Sequence, residues 1–226
     1  MMNMFENFPG SQLDVRYLKT QDCENMNNMF HNSTIDELDL RYFDFSNVET
    51  TKFMFEYANI GDIKFATFSA PKLEETFHMF KNTISNDIDL SYVDLPVLKS
   101  INQMFINSQL RDVLLTGMNI PMVNDAYGAF LNANFRDLYW VNSVAESISN
   151  SNQMFRNVTA NNINLSGLHL PRNEDGWGMF HEAKANKVDF SNVILSDEHI
   201  LNPDDSDRRS GSRINQAFLS ANISEI

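Results

Sequence analysis

A single cysteine, Cys23, rules out an internal disulfide and a thiolate metal cluster. Eight glycines and six prolines in 226 residues leave little for long flexible links, so connections between elements must be short and mostly non-glycine. No stretch is apolar for long enough to cross a bilayer, so no membrane insertion is expected. The start, Met1-Met2-Asn3-Met4-Phe5-Glu6, has neither the basic segment nor the cleavage site of a secretory leader, which places the chain in the cytoplasm by default. Basic residues are scarce too: 17 Lys and Arg stand against 30 Asp and Glu, a formal net charge of −13. That balance disfavours direct contact with nucleic acid or anionic lipid and suits a basic partner.

What the chain does have is phenylalanine, 18 residues of it, and a period. Met-Phe occurs at Met4-Phe5, Met29-Phe30, Met54-Phe55, Met79-Phe80, Met104-Phe105, Met154-Phe155 and Met179-Phe180. Ala129-Phe130 fills the gap in the series, and each step is 25 residues. A constant period of this size marks stacked supersecondary units. After Met179 the next equivalent, Ala217-Phe218, comes 38 residues on, so 13 residues are inserted. We place them at about residues 201–212 as a solvated loop, followed by a partial repeat over 214–226 that makes one last helical turn. The expected organisation is one solenoid domain, residues 1–226.

With the Met of Met-Phe as position 1, position 10 reads Leu13, Leu38, Ile63, Ile88, Val113, Leu138, Ile163, Val188, and position 12 is also apolar throughout. Two apolar columns separated by one polar residue predict short strands with one buried face, near Gln12–Arg16, Glu37–Arg41, Asp62–Ala66, Asp87–Ser91, Asp112–Thr116, Asp137–Val141, Asn162–Ser166 and Lys187–Ser191, stacked as a parallel ladder. The return limb has apolar residues three, six or seven apart, as in Val48, Met54 and Phe55, which predicts short helices. Ser46 with Glu49 forms the pattern of a capping box, and Pro71, Pro96, Pro121 and Pro171 occupy the helix-start region. Asparagine recurs at position 4 (Asn7, Asn32, Asn82, Asn107, Asn132, Asn157), where it tolerates the left-handed conformation that ends a helix. Phe5, Phe30, Phe55, Phe80, Phe105, Phe130, Phe155 and Phe180, with those asparagines, are assigned structural roles. So is Cys23, in a column otherwise filled by Val48, Leu73, Leu98, Val123 and Ile148.

Leu38-Asp39-Leu40-Arg41-Tyr42-Phe43-Asp44-Phe45-Ser46-Asn47-Val48 running into Met54-Phe55 resembles the BspA-like leucine-rich repeat of bacterial and protist surface proteins. Ile88-Asp89-Leu90-Ser91 and Val188-Asp189-Phe190-Ser191-Asn192-Val193 repeat parts of the same unit. The resemblance implies a right-handed leucine-rich-repeat-like α/β solenoid used for binding, often in adhesion. By analogy it also admits a cell-surface or virus-particle location.

The outward strand face carries Glu37, Asp62, Asp87, Asp112 and Asp137 at position 9, and Asp14, Asp39, Asp89 and Asp189 at position 11. On strands about 4.8 Å apart these acids form ladders of like charge, open to a basic partner or partly neutralised by Arg16, Arg41, Lys64, Arg111 and Arg136. Leu114, Tyr139 and Val141 interrupt that face with an apolar and aromatic patch, the composition of a contact hot spot. The five histidines (His31, His78, His169, His181, His199) do not converge, and no nucleophile elbow, phosphate loop, metal-ligand spacing or dinucleotide fingerprint is present. No enzyme activity, metal or cofactor is expected. The reading is a non-enzymatic protein–protein binding module acting through its strand face. Two alternatives stand beside it: a structural component of a larger assembly, self-associating through an uncapped N-terminal end, and an acidic nucleic-acid mimic.

Overall fold

Identical residues one repeat apart lie directly on one another. The rings of Phe5, Phe30, Phe55, Phe80, Phe105, Phe130, Phe155 and Phe180 form one continuous stack, with centroids 4.9–5.5 Å apart and planes within 18° of parallel. A ring sandwiched on both faces loses its water-facing area on each side, which is why all of these except Phe5 are fully buried.

The computed structural model describes residues 1–172, 175–195 and 220–225. In chain order the strands are β1 (Thr34–Asp39), β2 (Asn59–Lys64), β3 (Ile84–Ser85), β4 (Ile88–Asp89), β5 (Gln109–Leu114), β6 (Asn134–Tyr139), β7 (Thr159–Asn164), β8 (His169–Leu170), β9 (Lys184–Asp189), β10 (Ile194–Leu195) and β11 (Asn222–Glu225). One strand from each coil builds a parallel sheet ordered β1-β2-β3-β5-β6-β7-β9-β11, with β4 continuing β3 against β5. Residues pair with their equivalents 25 positions on, as in Leu38↔Ile63 and Val113↔Leu138. A second strip of bridges at position 16 links Ser69, Asp94, Asn119, Val144 and His169 and ends in the β8–β10 pair. A third at position 22 runs from Asn25 through Asp125 to Asp175. The chain is therefore a parallel-strand β-solenoid with its core inside the coils.

The described residues contain no helix, so the short helices expected on the return limb are absent. At the Met-Phe corner, alternate N–H groups donate to the next coil (Asn28 to Lys52 O, Phe30 to Met54 O, Asn32 to Glu56 O), while those between close three-residue turns (Met29 to Met26 O, His31 to Asn28 O, Ser33 to Phe30 O). Left-handed residues flank the corner in every coil, for example Asn28 and Asn32 at φ 55° and 53°, or Phe53 and Tyr57 at φ 59°. A helix needs unbroken right-handed residues, so these positions exclude it. Serial i→i+3 turns bring the chain back to one side every three residues, and that produced the helix-like spacing of Val48, Met54 and Phe55. Pro71, Pro96 and Pro121 sit second in such turns, closed by Leu73, Leu98 and Val123, where a fixed φ is an asset. Ser46 donates its backbone N–H to Asp44 Oδ1 at 2.9 Å in an Asx turn, not a capping box.

The strands also begin three residues earlier than the alternation predicted, at Thr34 rather than Glu37 and at Asn59 rather than Asp62. Positions 7 and 10 both face inward (Ile35 and Leu38, Leu110 and Val113), and the pairing register skips position 8 between them. A strict two-residue period cannot represent that irregularity. At one such position Gly61 lies so close to the preceding coil that an added Cβ would clash with Asp36 O.

The first coil closes on itself. Phe8 stands where other coils have Ser33, Ala58 or Thr83, and packs edge-on against Phe5 at 6.4 Å. Pro9 stands where Thr34, Asn59 and Ile84 donate to the coil before, and proline has no N–H to offer. At this end Pro9 therefore offers no strand donor, while Phe5 and Phe8 stay half-buried. At the other end β11 pairs with β9 at a separation of 38 residues (Asn222↔Lys184). Residues 222–225 are thus strand; the rest of the helical turn expected over 214–226, and the loop at 201–212, lie largely outside the described residues.

Ala129, the one departure from Met-Phe, accompanies Trp140, which is fully buried 6.2 Å from Phe130. The two share a void of about 10 Å³ with Met104, Met118 and Leu115. The small residue makes room for the indole, and the exchange is nearly volume-conserving. We expect Ala129→Met alone to destabilise by about 1–3 kcal/mol through overpacking. Trp140→Leu alone should cost about 3 kcal/mol by leaving a cavity. The double variant should be more stable than the sum of the two losses, as measured by urea unfolding in a double-mutant cycle.

Candidate functional site

The strand face is built by positions 8, 9 and 11, and its acids are held chiefly by the protein itself. Arg111 from β5 reaches back to Asp87 with two bonds, of 2.7 and 2.5 Å. Arg136 from β6 does the same to Asp112 of β5, and lies 3.4 Å from Asp137. Asp137 also accepts from Asn162 at 2.6 Å, Asp62 accepts from Asn86 at 2.8 Å, and Glu37 meets Lys64 at 2.7 Å. At the strand end Asp39 grips Arg41, as Asp14 grips Arg16, while Asp89 accepts the backbone N–H of Ser91. All five cations expected on this face are therefore engaged. Asp112 and Asp137 are buried, Asp39, Asp62 and Asp87 are half-buried, and Glu37 and Asp89 are exposed.

These forked contacts hold several carboxyls in the charged form. Arg16 draws Asp14 down to about 2, and Arg41 and Arg111 lower Asp39 and Asp87 in the same way. A carboxyl more acidic in the fold than in the unfolded chain adds stability above its unfolded value, and that stability is lost as pH falls through the folded one. The window here runs from about pH 4 downward.

Leu114 and Tyr139 are direct cross-strand partners, with Asp89 and Asn164 as the next residues in the column. Val141 follows two residues on at the same strip. All three are half-buried, so the structure does bring this patch together, but as a low apolar shelf rather than a projecting knob.

Position 3 carries a second charge ladder. Buried Glu56 meets Lys81 at 2.9 Å and has His31 3.5 Å and His78 3.9 Å away, while His31 lies 3.7 Å from Glu6 on its other side. Burial lowers the basicity of His78, against the opposing effect of Gln103, 2.8 Å from its Nε2. His181 and His169 stand several coils away, and His199 lies outside the described residues. Among the described residues no group of three or more His, Cys, Asp or Glu is disposed to hold a metal ion. Among them no helix is long and apolar enough to cross a membrane.

The asparagines of position 4 do adopt left-handed backbones, at φ 53–59°. Their amides bond one another rather than neighbouring backbone: Asn32 donates to Asn7 at 2.7 Å, Asn132 to Asn107 and Asn157 to Asn132 at 3.0 Å each, while Asn82 follows the interruption at Tyr57. Buried Cys23 lies 3.4 Å from Asn25 O. Sequence reasoning missed a column at position 24, where Phe77, Tyr127 and Trp177 emerge beside the Met-Phe corner at every second coil. A period of 50 residues, concealed beneath that of 25, was its signal.

Replacing Arg111 by Gln should lower the melting temperature at pH 6, by an amount that shrinks as pH falls from about 4 toward 2 and Asp87 takes up its proton. Thermal melts across that range check this, and a pH-independent difference would refute the pairing as its cause.

No curated protein and no solved structure matches the chain. One family model does, over residues 1–116 and again over 89–193, overlapping as a repeat unit allows. Those spans take in all eight stacked phenylalanine corners, and the chain belongs to the repeat family described as Mycoplasma protein of unknown function, DUF285.

Proposed function

We propose that the solenoid is a non-catalytic scaffold that holds a protein partner against its strand face, with Leu114, Tyr139 and Val141 as apolar anchors. The observation that carries this reading is the register pairing of Leu114 with Tyr139 in the middle of the parallel sheet. Around them Asp112, Asp137 and Arg136 are already locked together and need no rearrangement when a partner arrives. An aromatic and aliphatic shelf ringed by fixed polar groups has the composition of an interaction hot spot. The net charge of −13 favours a basic partner through long-range steering. The resemblance to BspA-like repeats, whose solenoids serve adhesion, points the same way.

The two alternatives have less behind them. A self-assembling component built through its N-terminal end would dock on Phe8 and Pro9, where no strand donor is offered at Pro9. A nucleic-acid mimic needs carboxylates free to meet a basic groove, whereas Asp87, Asp112 and Asp137 are occupied by neighbouring coils.

The test compares the native protein with Leu114→Asp/Tyr139→Asp. The variant should stay folded, with a lower melting temperature because its new carboxylates stand in register with Asp89, and light scattering should give the monomer mass of 26.0 kDa for both. A partner isolated on the native protein should bind the variant at least about tenfold more weakly. Equal binding, or concentration-dependent oligomers of the native protein alone, would overturn the reading.

A further inference from the structure

The column at position 24 has an order that the fold itself does not require. Coil by coil the residues at positions 24 and 25 run Asn102-Gln103, Tyr127-Gly128, Asn152-Gln153, Trp177-Gly178, an amide pair alternating with an aromatic residue and a glycine. Phe77-His78 precedes the series in phase. The backbone aligns these residues vertically: Gln103 N–H donates to Tyr127 O, Gly128 to Asn152 O and Gln153 to Trp177 O. Phe77 is 37% exposed, and Tyr127 and Trp177 are half-buried. Each ring is steadied at one side, Phe77 by His78 at 3.7 Å, Trp177 by His181 at 6.4 Å, and Tyr127 through its hydroxyl, 3.4 Å from Gln153 Oε1. Gly128 and Gly178, at φ 56° and 61°, take the same left-handed backbone as Gln103 and Gln153 in the alternate coils.

We propose that this stripe binds a neutral, extended β-1,4-linked polysaccharide. Rings two coils apart are separated by about 10 Å at the strand spacing of a parallel sheet. That is the length of the two-sugar repeat of such a polymer, in which every second pyranose turns the same face to one side. The axial C–H groups of a pyranose carry partial positive charge and settle on the negative face of an aromatic ring. Between the rings lie polar groups for hydroxyls: the half-buried amide of Asn102, which can both donate and accept, and the carboxylates of Asp125 and Asp175, which accept from Asn102 and Asn152. Stacked bases of single-stranded nucleic acid would suit the rings, but not the acids beside them or the net charge of −13. This surface lies on the Met-Phe limb, away from the strand face, and the proposal is independent of the protein-binding one.

Titration calorimetry with cellohexaose and chitohexaose tests it, with maltohexaose and an oligothymidylate as contrasts. At least one β-1,4 hexamer should bind saturably, and maltohexaose, whose α-links curl the chain, should not. The variant Tyr127→Asn/Trp177→Asn installs the residue that neighbouring coils already carry, so its melting should stay close to native. Its affinity should fall about tenfold for each ring removed. Trp177→Phe, which keeps an aromatic face, should retain most of the affinity that Trp177→Asn loses. The proposal is overturned if neither β-1,4 hexamer binds, if maltohexaose binds equally, if the double variant binds as native, or if oligothymidylate binds in place of the sugars. Leu114→Asp/Tyr139→Asp should leave sugar binding unchanged, which separates a failure here from a failure of the strand-face reading.

Discussion

Inter-coil hydrogen bonds hold neighbouring strands about 4.8 Å apart, and the phenylalanine rings stack with centroids 4.9–5.5 Å apart. The two spacings agree closely enough for one ring per coil to lie nearly flat on the next without tilting the backbone. Everything else in the chain is subject to that match. A coil with one residue more or fewer would carry its Phe out of the column, so the repeat stays at 25 residues from Met4 to Met179. Where Trp140 needs extra room inside a coil, the adjustment comes from side-chain volume at Ala129 rather than from chain length.

The same constraint explains which features could be read in advance. Met-Phe at a fixed step announces a solenoid, and a period survives any error about what occupies it. Asparagine at position 4 likewise revealed a left-handed backbone, because few other residues accept one. Local conformation was less legible. Val48, Met54 and Phe55 have helical spacing, yet three-residue turns recur with nearly the same period as a helix. Only the left-handed residues between them, including unexpected ones such as Phe53 and Tyr57, distinguish the two. The strands were displaced for a related reason: Ile35 and Leu38 both face inward across a skipped position, which simple alternation cannot express. Of the strand face, the identity of the acids and of their five cations was visible in the sequence. The pairing was not, because Arg111 and Arg136 reach a carboxylate 24 residues back, a diagonal step that shows only once the coils are stacked.

Those diagonal bridges alter what an acidic sequence means. Carboxylates in register on adjacent strands repel one another, yet Lys64, Arg111 and Arg136 between them each tie two coils together. Exposed pairs of this kind contribute little singly, but repeated up the sheet they fix the side chains of the face in one arrangement. The strand face is thus patterned rather than a diffuse cloud of negative charge. The Met-Phe limb reaches a comparable order by other means, with amide ladders and rings in place of ion pairs.

Because each coil touches only its neighbours, and the bonds between coils lie along the stacking axis, the molecule is wound like thread on a spool. A pull on the chain at one end would meet the outermost coil first and strip its bonds in sequence, leaving the coils beneath intact. Resistance would then be a series of small, nearly equal steps rather than one collective rupture. For a protein tethered at one place and loaded at another, that means extension by measured lengths of about one coil at a time.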